Sequence, residues 1–248
     1  MPAPTRTILA VTLLACAFAA QAAPQYVAVG SPLPRFTLLK EGSHRYLRYV
    51  KDGETNTPMD IWQRTVKFDG KRFTIHQRWD GAGKPAPVKI LDSSFDTSTF
   101  RPLQHTRITE RDGKRVVEGF AFAPERITGL ADLADNTQKD LNMASPEATF
   151  NFETDIELLQ ALPLAAGYEA EINFYHPGGS APARYTFKVA GSETINGPSG
   201  AVDCWIVTTD YNRPGYVSRF WFAKATQLMI RQDSPMPDGK VLIKTLLD

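Results

Sequence analysis

Six two-residue turn signals spread along the chain constrain its fold more than any other feature. Asp-Gly occurs at Asp52-Gly53, Asp69-Gly70, Asp80-Gly81, Asp112-Gly113 and Asp238-Gly239, and Asn-Gly at Asn196-Gly197. These pairs accept the positive φ angles of tight hairpin turns, and β-prone residues flank most of them. Hairpin after hairpin makes an antiparallel meander the natural architecture.

Segments between the turns alternate with the period of two that strands require. Phe73, Ile75 and Trp79 share one face of a strand, and Arg72, Thr74, His76 and Arg78 share the other. Tyr185, Phe187 and Val189 alternate with Arg184, Thr186 and Lys188, while Tyr168, Ala170, Ile172 and Phe174 alternate with Glu169, Glu171 and Asn173. Each pattern predicts one wet and one buried face. Further strands are expected over 46–50, 61–68, 88–91, 103–110, 115–122, 202–211, 216–222, 227–232 and 240–246. The 202–211 segment is apolar on both faces and suits a central, doubly covered strand.

One short helix interrupts the pattern, expected over 152–162. Phe152, Ile156, Leu159 and Leu162 recur at helical spacing, Thr154-x-x-Glu157 matches a capping box, and Pro163 stops the run. The polar stretch 129–146 has no period and reads as a long loop. No internal repeat or low-complexity linker divides the chain. Residues 23–248 are therefore expected to form a single, mainly β domain. Its expected form is an antiparallel, strongly curved sheet or partly closed barrel of about 10–13 strands, with a two-sheet sandwich as the alternative.

The N-terminus sets the expected compartment. Arg6 precedes an apolar run from Ile8 to Ala20, which ends in Ala20-Gln21-Ala22. This is the pattern of a signal peptide over residues 1–22, cleaved between Ala22 and Ala23. The run falls short of the roughly 20 apolar residues of a spanning helix, and no later stretch approaches that length. The expectation is a periplasmic or secreted protein without a transmembrane segment. Leu13-Leu14-Ala15-Cys16 also resembles a lipobox, which would instead leave a lipoprotein anchored at Cys16.

Charge and cysteine usage exclude several classes. The chain has 28 Lys and Arg against 27 Asp and Glu, and the expected leader carries one of the arginines. The remainder is neutral overall and has no basic run, so nucleic acid is not an expected partner. With the leader removed, Cys204 stands alone and no internal disulfide can form, even in an oxidising compartment. Between Val202, Trp205 and Ile206 it reads as a small core residue.

The residues carry few chemical signatures. His44, His76, His105 and His176 are scattered, so no metal-ligand spacing arises and no cofactor is expected. Gly197-Pro198-Ser199-Gly200 lacks the spacing of a nucleophile elbow. Asp132, Asp135 and Asp140 do not follow a calcium-loop pattern. The aromatic residues are more informative. Most should form core, but Trp79, Phe174, Phe187, Trp205 and Trp221 are candidates for the lining of an apolar cavity holding a lipid or another hydrophobic molecule.

The C-terminal half carries a recognisable texture. Asn173-Phe174-Tyr175 with Pro177-Gly178 precedes the strand Tyr185–Val189, then Gly200-Ala201-Val202-Asp203-Cys204-Trp205, then Phe220-Trp221-Phe222-Ala223-Lys224-Ala225-Thr226. Phe100-Arg101-Pro102-Leu103 in the N-terminal half fits the same pattern more loosely. Together these segments resemble a family of exported bacterial proteins of unknown function. The resemblance implies a curved antiparallel sheet similar to that of periplasmic lipoprotein carriers, and it implies no active-site residues.

Three functional classes follow. The first is a binding or carrier module for a hydrophobic, lipid-like ligand. The second is an envelope protein that contacts another envelope protein through a sheet edge or the 129–146 loop. A hydrolase ranks third, because the sequence carries no catalytic spacing.

Overall fold

The computed structural model describes residues 23–83, 86–97 and 99–248; of the expected leader and its cleavage point, Cys16 and Ala22 lie outside the described residues. The strands in chain order are β1 (Gln25–Val27), β2 (Gly42–Asp52), β3 (Thr55–Asp69), β4 (Arg72–Gly81), β5 (Val88–Asp96), β6 (Pro102–Arg111), β7 (Lys114–Ala123) and β8 (Arg126–Gly129). After them come β9 (Asn142–Ala144), β10 (Phe150–Asn151), β11 (Glu169–Tyr175), β12 (Ala183–Gly197), β13 (Gly200–Thr209), β14 (Ser218–Ala223), β15 (Met229–Pro235) and β16 (Val241–Leu246). Helix α1 (Asp155–Gln160) follows a 3-10 turn at Phe152–Thr154.

All sixteen strands belong to one sheet in the order β1-β11-β12-β13-β14-β15-β16-β2-β3-β4-β5-β6-β7-β8-β9, with β10 also pairing β11. The expected mainly β, curved architecture is present, with more strands than the 10–13 expected. Four of the sixteen have only two to four residues, too few to show an alternation in sequence. Two pairings, β1 with β11 and β10 with β11, are parallel rather than antiparallel.

Turn chemistry accounts for four of the six expected hairpins. Asp112 and Gly113 both have positive φ, 52° and 72°, as a two-residue mirror-image turn needs. Asp80-Gly81 instead lies inside β4, and Asn196-Gly197 ends β12, so the β12–β13 reversal falls at Pro198-Ser199.

Register stacks the inward side chains of β3 to β6 into tiers. Phe68, Phe73 and Phe95 align at one end of these strands, followed by Val66, Ile75, Ser93 and His105. Arg64, Gln77, Leu91 and Arg107 form the next tier, then Trp62, Trp79, Lys89 and Thr109. The first end is dry. Phe73 and Phe95 stack at 4.8 Å, and Phe100 packs on both at 5.1 and 4.8 Å. Phe100 sits at φ 54°, a conformation bulky residues avoid, and this packing holds it there.

The segment from β10 through α1 crosses the hollow of the sheet. Asn151 on β10 reaches Ser93 and His105 on β5 and β6, so the sheet curls until β11's neighbour meets strands far away in its order. The expected capping box does not form. Glu157 turns to the buried Arg64 instead of Thr154, and Thr154 donates its hydroxyl to the Asn151 carbonyl. A buried guanidinium is the stronger partner, since an unpaired charge there would be severely penalised.

The 129–146 segment packs against β7 instead of projecting from it. Asn136 accepts the Gly119 N–H at 2.8 Å and donates to the Gly119 and Leu130 carbonyls. Gly119 permits this approach, because a Cβ there would lie 2.5 Å from Leu133.

Candidate functional site

The polar belt begins at α1. Arg64 is paired with Glu157 and also donates to Gln77 Oε1 at 2.8 Å and to the Glu153 carbonyl at 3.2 Å. Gln77 donates to that same carbonyl at 2.6 Å and accepts the Trp62 indole N–H at 3.2 Å. The Glu153 carboxylate faces Arg107 at 3.2 Å and Lys89 at 3.7 Å, and Arg107 also holds Glu118 at 2.6 Å. Burial pushes the Glu153 carboxyl up, but the cations Lys89, Arg107 and Arg64 outweigh it and hold the carboxyl below the usual range.

Above this belt the sheet opens into a cleft of about 440 Å³ at the ends of β2 to β6. Its apolar wall includes Pro58, Met59, Pro87 and Val88, and its charged residues are Arg48, Asp60, Lys89 and Arg111. Trp79 stands between them. The Lys89 ammonium lies 4.0 Å from the Trp79 ring centre and the Arg48 guanidinium 5.3 Å. Trp79 is 8% exposed, yet its indole N–H has no hydrogen-bond partner. Arg48 Nε lies 3.0 Å from Asp60 Oδ1, but the two are not aligned for a hydrogen bond. Burial lowers the pKa of Arg48 and of Lys89 and raises that of Asp60.

The aromatic residues expected to line a cavity are dispersed by the fold. Trp79 borders the cleft. Phe174 and Phe187 meet edge to face at 6.0 Å inside the packed core, 0% and 2% exposed. Trp221 donates its indole N–H to Glu193 at 2.8 Å, and Trp205 lies under the Lys224 ammonium at 4.4 Å. Neither borders the Trp79 cleft. The cations beside Trp79 carried a weak sequence signal, a basic residue at an inward position of an otherwise apolar strand face. Alternation marked their positions without showing that they faced a shared hollow.

The titratable groups among the described residues are scattered over the fold. His76 pairs with Asp92 at 2.7 Å and is substantially exposed, while His176 stacks on Phe152. Among the described residues no three His, Cys, Asp or Glu side chains could hold a metal ion together. Cys204 is buried, and burial pushes its thiol up to about 11, the opposite of an activated thiolate.

His105 is the exception in geometry. Its Nδ1 lies 2.8 Å from the Ser93 hydroxyl and 3.1 Å from the Asn151 amide nitrogen. The Asn151 amide oxygen accepts the Glu153 N–H, which fixes the amide's orientation and makes Nδ1 an acceptor. The imidazole is therefore neutral with its proton on Nε2. Serine and histidine are 1% and 0% exposed, so this contact has no access for a substrate.

Comparison with known proteins adds fold and family. The crystal structure of a β-barrel-like protein of the DUF1849 domain of unknown function from Brucella abortus is similar, with a TM-score of 0.56 at 10% identity. The match covers 84% of this chain and 97% of that one, and at this identity it speaks to fold alone. No curated protein matches. The sequence model of one family spans residues 45–247, nearly the whole sheet, and the chain belongs to that family, DUF3108, of proteins of unknown function.

Proposed function

We propose that this protein is an exported binding module that holds a hydrophobic, lipid-like ligand in the cleft over Trp79. The observation that carries the proposal is the cleft itself. It is about 440 Å³ in volume, with Pro58, Met59, Pro87 and Val88 beside an indole whose polar edge is unsatisfied. Ligand sites combine an apolar wall with a few convergent polar groups in this way. The dispersed histidines and the raised Cys204 pKa favour binding over catalysis. Export and a periplasmic location belong to the same proposal and rest on the leader pattern of residues 1–22, with anchoring at Cys16 as its variant.

Native mass spectrometry of protein recovered from the periplasm without detergent tests this reading. The expected result is a reproducible extra mass that disappears on organic extraction. An unliganded mass, with no uptake of added alkyl amphiphiles, would sink it. The same spectrum reports whether the chain starts at Ala23 or at an acylated Cys16.

A further inference from the structure

The Trp79 cleft has three positive charges on its lining, Arg48, Lys89 and Arg111, against one carboxylate, Asp60. Its polar groups are also poorly matched to one another. The Trp79 N–H is buried and unpartnered, and the Arg48–Asp60 pair lacks hydrogen-bond alignment. Lys89 is 3.7 Å from Glu153, beyond hydrogen-bond reach, and its ammonium lies over the Trp79 ring. Buried donors left unmatched are rare in folded proteins, because each loses its hydration without replacement. Here the unpartnered indole N–H of Trp79 converges on one wall with two cations, Lys89 and Arg48, whose carboxylate partners are not hydrogen-bonded to them in these ion pairs.

We infer that this wall is the subsite for an acidic head group, a carboxylate or phosphate whose oxygen accepts from Trp79 Nε1 between Lys89 and Arg48. The inference rests on the binding reading above and narrows the ligand to an anionic amphiphile. Its alkyl part lies along Pro58, Met59, Pro87 and Val88. Asp60 opposes the anion, and Arg48 beside it offsets that opposition while keeping its terminal nitrogens for the ligand. Charge-assisted hydrogen bonds of this kind are about twice as strong as neutral ones, so the acidic group decides which amphiphile is selected.

Isothermal titration of the detergent-free protein with dodecanoate, dodecyl phosphate and neutral dodecyl maltoside, each below its micelle concentration, tests the inference. At least one anionic probe should bind roughly tenfold or more tighter than the neutral one. Trp79→Phe removes the N–H together with the five-membered ring, so the neutral probe reads the lost apolar contact; the anionic probe should weaken about tenfold more than the neutral one. Lys89→Met should do the same more strongly, and Trp79→Phe serves alone if that variant does not fold. Preference for dodecanoate or for dodecyl phosphate identifies the head group. Equal affinity for neutral and anionic probes, or an equal response of both to Trp79→Phe, overturns the head-group assignment and leaves the binding reading standing. Failure of all three probes to bind removes both.

Discussion

Strands β3 to β6 build two different interiors at their two ends. At one end Phe68, Phe73, Phe95 and Phe100 interlock with no polar partner among them. Two tiers along, the same strands present Arg64, Gln77 and Arg107, each tied to a residue near α1 or on β7. The apolar end draws its stability from area removed from water, at roughly 25 cal/mol per Å², and that attraction has no direction. Hydrogen bonds and ion pairs are directional, so the belt fixes where the 3-10 turn and α1 sit across the hollow. One end supplies stability and the other supplies position. The cleft is found beside the end that supplies position.

Breaking each end in turn should separate these roles. Phe95→Ala should lower stability by about 3–5 kcal/mol, read from urea unfolding, because a fully buried ring leaves a cavity. A loss under about 1 kcal/mol would show that the apolar end is loosely packed and the contrast unfounded.

Arg64→Met should be nearly as damaging, about 3–5 kcal/mol, because Glu157 is left charged and buried. The belt differs in being repairable. Arg64→Met with Glu157→Leu should recover most of that loss while loosening the position of α1, seen as faster amide exchange over residues 152–160. A double variant no more stable than the single would mean that the pair contributes more than mutual neutralisation.

Acid should act through His105, which lies in the tier between the apolar end and the belt. Burial lowers the pKa of His105 from 6.5 to about 4. The unfolded chain therefore takes up a proton at this residue between those values while the folded one does not. Its contribution is fully present above about pH 6.5 and is lost as pH falls toward 4, on the order of 3 kcal/mol in all. His105→Gln should flatten the dependence of the urea midpoint over that window. Parallel profiles for the two proteins would contradict this account. Smallest of all, Ser93→Ala should cost about 1 kcal/mol, because Asn151 continues to donate to His105 Nδ1. A much larger loss would mean that the hydroxyl also orients Asn151.

Much of the fold was legible in the sequence, for identifiable reasons. Local chemistry fixed the turns at Asp52-Gly53, Asp69-Gly70, Asp112-Gly113 and Asp238-Gly239, since few residues besides glycine, Asn and Asp accept those angles readily. It misplaced the reversals near Asp80-Gly81 and Asn196-Gly197, where pairing of the flanking strands overrode the dipeptide. Alternation correctly grouped Phe73, Ile75 and Trp79 on one face. It could not show that Gln77 on that face would meet Arg64 and the Glu153 carbonyl.

The sequence alone determined that this is a mainly β chain of many hairpins, with a short helix near its middle. Those features depend on neighbours within a few residues, and short-range sterics and periodicity encode them. Only the tertiary structure decided that Lys89, Arg48 and Trp79 stand together over a cleft, that Glu157 serves Arg64 rather than its own helix cap, and that His105 is sealed. These partners lie on different strands or on the segment that crosses the hollow. A period of two assigns a residue to a face of its strand, but closure of the sheet decides which distant charges that face meets.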